Sequence, residues 1–357
     1  MRMQWHSAWL LAAPLGFALT LSTADAGTPS RTPHATRLAS GLQGPTGSTI
    51  GPGDDLYVAE GPAGRISRID PKTGRVTTFA SGLPRAIVGL GGPMDVAFIG
   101  DTAYVLVTLV GADVGGNDVV GIYRIDSPTS FTVVANIGEF SASHPPNTPF
   151  FIPTGVQYAL EPYRGGFLVT DGHHNRVLRV SRDGDIHEWI AFDNIVPTGL
   201  AVSGASVYVA QAGPVPHLAA DGKVVTVRRK SRIVTAVAAG APLLVDVEFG
   251  RGHRLYGLSQ GYFPPDSAEG SPAEPYTGAL VRARSDGTFT VVADGLNQPT
   301  SLEFIGRSAY IVSLAGDIWK IAGVTGRDDD IDRHGIDEPD REWSRLQRFD
   351  QEGGRAR

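Results

Sequence analysis

Short apolar runs bounded by Gly, Pro, Asp and Asn recur through most of the chain. Runs of this length between such turns predict β-strands, and they fall into a repeating order. Pro45-Thr46-Gly47, Pro93-Met94-Asp95, Pro153-Thr154-Gly155, Pro197-Thr198-Gly199 and Pro299-Thr300-Ser301 each open an apolar strand. Leu244-Val245-Asp246 is a sixth copy that has lost its Pro. The openings lie 48, 60, 44, 47 and 55 residues apart. A second strand follows each one, with an aromatic at a fixed place. Tyr57, Tyr104, Tyr208, Tyr256 and Tyr310 stand 11 or 12 residues after their openings, and the third copy has Phe167-Leu168-Val169 instead. Half of the chain's 10 tyrosines occupy this one position, which predicts packing of one sheet against the next.

A third strand, such as Arg65-Ile-Ser-Arg-Ile69 or Arg176-Val-Leu-Arg-Val180, and a turn such as Asp183-Gly184 lead to a fourth strand. Four short strands per unit of roughly 40–50 residues is the signature of a propeller blade. The predicted fold is all-β, a six-bladed β-propeller with four-stranded blades. The sixth unit stops at Ile321 without a fourth strand, whereas Thr36-Arg-Leu-Ala-Ser-Gly-Leu42 reads like the end of one. The N-terminal segment is therefore predicted to complete the last blade, closing the ring and protecting its sheet edges.

Composition narrows the function classes. The 357 residues include 45 Gly and 25 Pro, too many for a helical bundle. The 41% hydrophobic content is ample for a core, which excludes a disordered chain. A net charge of −6 gives no footprint for nucleic acid, and the absence of Cys excludes disulfides, thiol chemistry and Cys-based zinc sites. Residues 1–26 read as a secretory signal, with Arg2, an apolar run from Trp9 to Leu21 and the cleavage pattern Ala24-Asp25-Ala26. That run is shorter than the roughly 20 residues a membrane span needs, so no membrane span is predicted. Residues 27–324 are assigned to the propeller and 325–357 to a charged, disordered tail. Asp328, Asp329, Asp330 and Asp332 lack the Gly and distal Glu of a calcium loop. The mature protein is expected to be a monomer in an extracytoplasmic compartment, secreted or periplasmic.

The repeat resembles the NHL-repeat group of six-bladed propellers, and more closely the ScyD/ScyE family of exported propellers. The carriers are Leu38-Ala-Ser-Gly-Leu42, Pro45-Thr-Gly47, Leu56-Tyr-Val-Ala-Glu60, Val169-Thr-Asp-Gly-His-His-Asn-Arg176 and Val196-Pro-Thr-Gly-Leu-Ala-Val202. The resemblance covers about residues 36–324 and implies fold and export rather than a reaction. The calcium-dependent lactonases of the gluconolactonase group share the six-bladed fold, and their pattern places a Glu ligand at the start of the first inner strand. This chain has Gly44-Pro45-Thr46-Gly47 there.

In a propeller, the start of each inner strand and the end of each second strand meet at one mouth of the channel. This logic gathers Glu60, Asp95, Thr108, Asp171, Asn175, Gln211, Asp246, Gln260 and Ser313. Several carboxylates round one axis repel unless a cation or hydrogen-bond donors sit among them. Glu60, Asp171, Asn175 and Asp246 are the candidate ligands for one calcium ion in the channel, or else capped loop residues. His173 and His174 are the candidate general bases, or else part of a polar turn. Four enlarged connections, 109–117, 136–152, 211–221 and 261–277, leave this same face. Phe150, Phe151, Gln211, Gln260, Tyr262 and Phe263 on or beside them are the candidate ligand contacts. The leading expectation is a binding or scaffold propeller that takes a small molecule or a protein on its long-loop face. The alternative is a calcium-dependent hydrolase or lyase of lactonase-like type.

Overall fold

Each repeat unit folds into one four-stranded antiparallel sheet, and six such sheets form a six-bladed β-propeller. The computed structural model describes residues 35–324. The proposed signal segment 1–26 and the tail 325–357 lie outside the described residues. The inner strands are Pro45–Ile50, Gly92–Ile99, Gln157–Tyr163, Pro197–Ser203, Leu244–Gly250 and Pro299–Ile305, for blades 1 to 6 in order. Among the described residues no helix is long and apolar enough to cross a membrane.

Closure follows the sequence logic. The strand Ala35–Ala39 pairs antiparallel with Ile318–Ile321, with Ala35 opposite Ile321 and Ala39 opposite Ile318. The sixth blade thus takes its outermost strand from the other end of the chain. Leu42 N–H donates to Gly316 O at 3.1 Å just beyond the strand. Ala39 and Leu42 are buried with Leu56, Ile69, Tyr310 and Ile318, in a cluster that spans the junction of blades 6 and 1.

The repeated tyrosine joins neighbouring blades. Tyr57 of blade 1 meets Phe98 of blade 2 edge-on at 4.7 Å. Tyr104 packs on Phe167 at 4.8 Å, Tyr208 on Phe249 at 5.0 Å and Tyr256 on Phe304 at 4.8 Å. In each pair the second ring comes from the next blade, so one recurring register position supplies the glue between sheets. Edge-on and tilted aromatic pairs of this kind add to the stabilisation that burial alone provides.

Blade 3 departs from expectation. Its inner strand starts at Gln157, not at Pro153. Gln157 lies opposite Asp171 as Pro45 lies opposite Glu60, and Leu168 then falls 11 residues after the true start. Pro153-Thr154-Gly155 instead forms a turn, with Gly155 at φ +74° and its N–H donating to Ile152 O. The connection before it contains the short helix Ile137–Ser143, which sequence reading missed. Asn136 caps it, accepting from Glu139 N–H while its own amide donates to the Glu139 carboxylate.

Candidate functional site

The inner strands enclose a cavity of about 970 Å³ that runs from the long loops down the channel. All four enlarged connections contribute to its wall: Leu109 and Val114, then Phe150 and Phe151, then Val215 and His217, then Glu269 and Pro272. Gln260 also lines it, held by Ala273 N–H and donating toward Pro299 O. Three of the predicted ligand contacts lie elsewhere. Gln211 is buried beside the cavity, outside its lining, and its Oε1 has no hydrogen-bond partner among the described residues. Phe263 packs edge-on against His217 at 5.2 Å, and Tyr262 is 61% exposed on the outer surface.

The four residues expected to share an ion do not come together. Glu60 is fully buried and bidentate with Arg65, at 2.8 Å to each carboxylate oxygen, and also accepts from Ser67 Oγ and Gln43 N–H. Asp171 is fully buried against Arg176 Nε at 3.1 Å, Ser141 Oγ and Gln157 Nε2. Asn175 accepts from Ile195 and Val196 N–H and donates to Thr148 Oγ1, so its side chain pins the loop. Neither Glu60 nor Asp171 faces the cavity. Among the described residues no three His, Cys, Asp or Glu side chains are grouped closely enough to hold a metal ion. The proposed calcium set therefore does not fit: the first two carboxylates already have arginines, and no step is routed through an ion.

The two histidines have different surroundings. His174 is buried, with Nε2 against Ile152 O at 3.0 Å and Nδ1 against the Arg176 guanidinium at 3.1 Å. Nδ1 also lies 3.2 Å from Asp171 Oδ2. Both ring nitrogens are engaged, which removes His174 as a base. His173 lines the cavity, its Nε2 accepting from Phe151 and Ile152 N–H at 2.9 and 3.1 Å. Burial lowers its pKa and keeps the ring neutral. Arg176 organises this corner. Fully buried, it bonds Asp171, His144 O and Ser141, and so clamps the 136–152 connection onto blade 3.

Deeper in the channel the register builds two tiers of inner-strand positions. Opposite the fixed second-strand position stand Thr49, Ala97, Glu161, Ala201, Glu248 and Glu303. Two residues earlier, and so on the same face of each strand, stand Gly47, Asp95, Ala159, Gly199, Asp246 and Ser301. The upper tier ties blades together. Asp95 accepts from Leu160 N–H of blade 3 at 2.7 Å, and Asp246 accepts from Leu302 N–H of blade 6 at 2.8 Å. Ser301 Oγ accepts from Ser48 N–H of blade 1. The glycines make room for this. A Cβ on Gly47 would overlap Asp95 Oδ1, and one on Gly199 would lie 2.6 Å from Asp246 Oδ1.

Glu161, Glu248 and Glu303 form the lower tier, and all three line the cavity. Glu248 accepts from its neighbour Phe249 N–H, while Glu161 and Glu303 have no hydrogen-bond partner among the described residues. Burial first, then mutual repulsion, raises Glu161 and Glu303 well above the ordinary carboxyl range. Burial raises Asp246 to about 7 and Glu248 to about 8, and drives Asp95 upward as well. Sequence reading missed this tier. Its signal was an acid four residues after the strand start, in Gln157/Glu161, Leu244/Glu248 and Pro299/Glu303. Placing the blade 3 opening at Pro153 hid it. His217 was missed too. Its Nδ1 donates to Gly213 O at 2.7 Å, so Nε2 is left as a neutral acceptor in a cavity-lining ring whose pKa burial lowers.

No protein-family model and no curated protein matches the chain. Solved structures do match its fold. A gluconolactonase from Xanthomonas campestris is 14% identical with a TM-score of 0.56, over 81% of this chain and 89% of that one. A streptogramin B lyase is 13% identical with a TM-score of 0.52, over 80% and 96%. A chain of a nidogen/laminin complex is 13% identical with a TM-score of 0.50, over 72% and 85%. At these identities the likeness is one of fold. The six-bladed propeller hosts both chemistry and binding, so the cavity itself has to carry the functional argument.

Proposed function

We propose that the protein is an exported propeller of ScyD/ScyE type that binds a small molecule in its channel, admitted through the long-loop face. The observation that carries this reading is the cavity of about 970 Å³, near the upper end of ligand-pocket sizes, with an apolar collar above a carboxyl floor. Phe150 and Phe151, 40% and 63% exposed, form part of the collar. A neutral solvatochromic dye, Nile red, tests it: saturable blue-shifted fluorescence that weakens at least tenfold in Phe150→Ser/Phe151→Ser is expected. Both residues lie outside the strands, so an unchanged melting temperature confirms that the variant folds. Dye binding that ignores this variant overturns the reading.

A second reading is that the channel also hydrolyses its ligand by general acid–base chemistry. It is favoured by Asp246 and Glu248, two residues apart on one strand, with pKa values of about 7 and 8. Groups that titrate near neutral pH are suited to donate and accept protons in turn. Ring opening of glucono-δ-lactone at pH 7, followed by base consumption, should fall on the order of a hundredfold in Glu248→Gln. No rate above that of buffer rejects this second reading and leaves binding intact.

A further inference from the structure

We propose that the channel selects an organic cation, an ammonium or guanidinium group carried on an apolar body, with its charge seated among Glu161, Glu248 and Glu303. This rests on the small-molecule reading above and names the ligand class.

The argument starts from charge pairing. Five acids elsewhere are met by arginines: Glu60 by Arg65, Asp171 by Arg176, Asp55 by Arg68, Asp126 by Arg124 and Asp286 by Arg284. Others, such as Asp70 and Asp113, are met by backbone N–H or hydroxyl groups. The cavity differs. Among the described residues six carboxyl groups line it, namely Asp95, Glu161, Asp246, Glu248, Glu269 and Glu303, and no Lys or Arg does. The upper two are spent on backbone amides, Asp95 on Val96 and Leu160, Asp246 on Val247 and Leu302. The lower three retain free acceptor capacity, and Glu161 and Glu303 have no partner at all among the described residues. Half-buried carboxyls grouped round a hollow, with few donors from the protein, favour a ligand that brings donors and positive charge from outside.

The shape of the site decides between an ion and an organic cation. A metal ion needs ligands converging at about 2–2.6 Å, and no such group of side chains exists among the described residues. The three glutamates instead stand on blades 3, 5 and 6 around a hollow channel. An ammonium with three N–H donors, or a guanidinium with five, can reach several walls at once. The wall above them, with Met94, Leu243, Val245, Leu314 and Tyr158, suits an apolar or aromatic body.

Seating a cation favours the ionised carboxyls, so binding releases protons and tightens as pH rises. The titratable groups facing the seat are Asp95 of blade 2, Glu161 of blade 3, Asp246 and Glu248 of blade 5 and Glu303 of blade 6. Blades 1 and 4 present none there, and His173, His217 and Glu269 stand higher, on the loops.

The test is calorimetric titration of the whole protein with phenethylammonium and benzylguanidinium, against the isosteric 2-phenylethanol and phenylacetate. At pH 8 the cations should bind at least tenfold tighter than the alcohol, and phenylacetate weakest. Their affinity should drop about tenfold from pH 8 to pH 6. Titrations in two buffers of different protonation enthalpy should show proton release. The triple variant Glu161→Gln/Glu248→Gln/Glu303→Gln, which keeps size and shape, should lose the preference and the pH dependence while still binding Nile red. Equal affinity for alcohol and cation, or a preference for phenylacetate, overturns the cation class but leaves the channel reading standing. Displacement of the ammonium by millimolar calcium chloride with matched stabilisation assigns the seat to an inorganic ion instead. Loss of Nile red binding specificity, by contrast, strikes the channel reading itself.

Discussion

Neutralising Glu303 should make the protein more stable in alkali and abolish part of its pH dependence. The five channel carboxyls all have pKa values raised in the folded state. The native state therefore binds more protons than the unfolded chain between about pH 4 and pH 8, and stability must fall as pH rises through that window. Asp246 alone moves from 3.8 to about 7. At about 1.4 kcal/mol per unit, that is on the order of 4 kcal/mol, present at pH 4 and lost above pH 7. Coupling among the groups prevents adding five such figures, and channel water softens each, so a net loss of roughly 4 kcal/mol is the working value. For a domain of this size it corresponds to a fall of about 10 °C in melting temperature between pH 5 and pH 8.5. Glu303→Gln is the cleanest probe, because the Glu303 carboxyl has no hydrogen bond to lose among the described residues. It should match wild type at pH 5 and exceed it by several degrees at pH 8.5. The triple glutamine variant should flatten the curve further. Differential scanning calorimetry across the range decides the matter. Parallel curves for wild type and variant, or a wild-type melting temperature that rises toward pH 8, would refute the reasoning.

Three other outcomes follow from the packing. Arg176→Leu should cost about 3–5 kcal/mol, since it strands the buried Asp171 carboxylate, and limited proteolysis should then cut within 136–152. Removing residues 27–42 should abolish the cooperative calorimetric melt, because the last blade loses its outer strand together with Ala39 and Leu42. Gly199→Ala should destabilise by about 1–3 kcal/mol by pushing on the backbone at Asp246 and Val247 and on the Asp246 carboxylate, whereas Gly204→Ala, at a hairpin with open space for the methyl, should cost only the strain of its positive φ. Chemical denaturation at pH 7 distinguishes the last two.

The blade count, the strand order, the tyrosine packing and the closing strand were all legible in the sequence. Each is written as a local period, and Tyr57, Tyr104, Tyr208, Tyr256 and Tyr310 recur because most interfaces between blades are packed in the same way. The channel was less legible. Glu60 and Asp171 look like free acids in sequence, and only the fold shows Arg65 and Arg176 folded back on them across the tight turn between second and third strands. Glu161 was concealed by an imitation: Pro153-Thr154-Gly155 copies a strand opening, but an extra turn follows it before the strand begins. The helix Ile137–Ser143 was missed because about two helical turns between two strands leave too short a period to read.

The pairing of Ala35 with Ile321 has a consequence for how the protein is made. The two residues are at opposite ends of the described chain, so the contact that seals the ring has nearly the greatest sequence separation available. Every other sheet forms from consecutive strands and is able to assemble as soon as its own segment is free. The final sheet has to wait for the last segment, while the first segment stays extended with its pairing groups unmet. High contact order of this kind slows folding and prolongs the life of an open, edge-bearing intermediate. Anything that holds the early segment until the late one arrives, such as a chaperone, would raise the yield of native protein without touching its final stability.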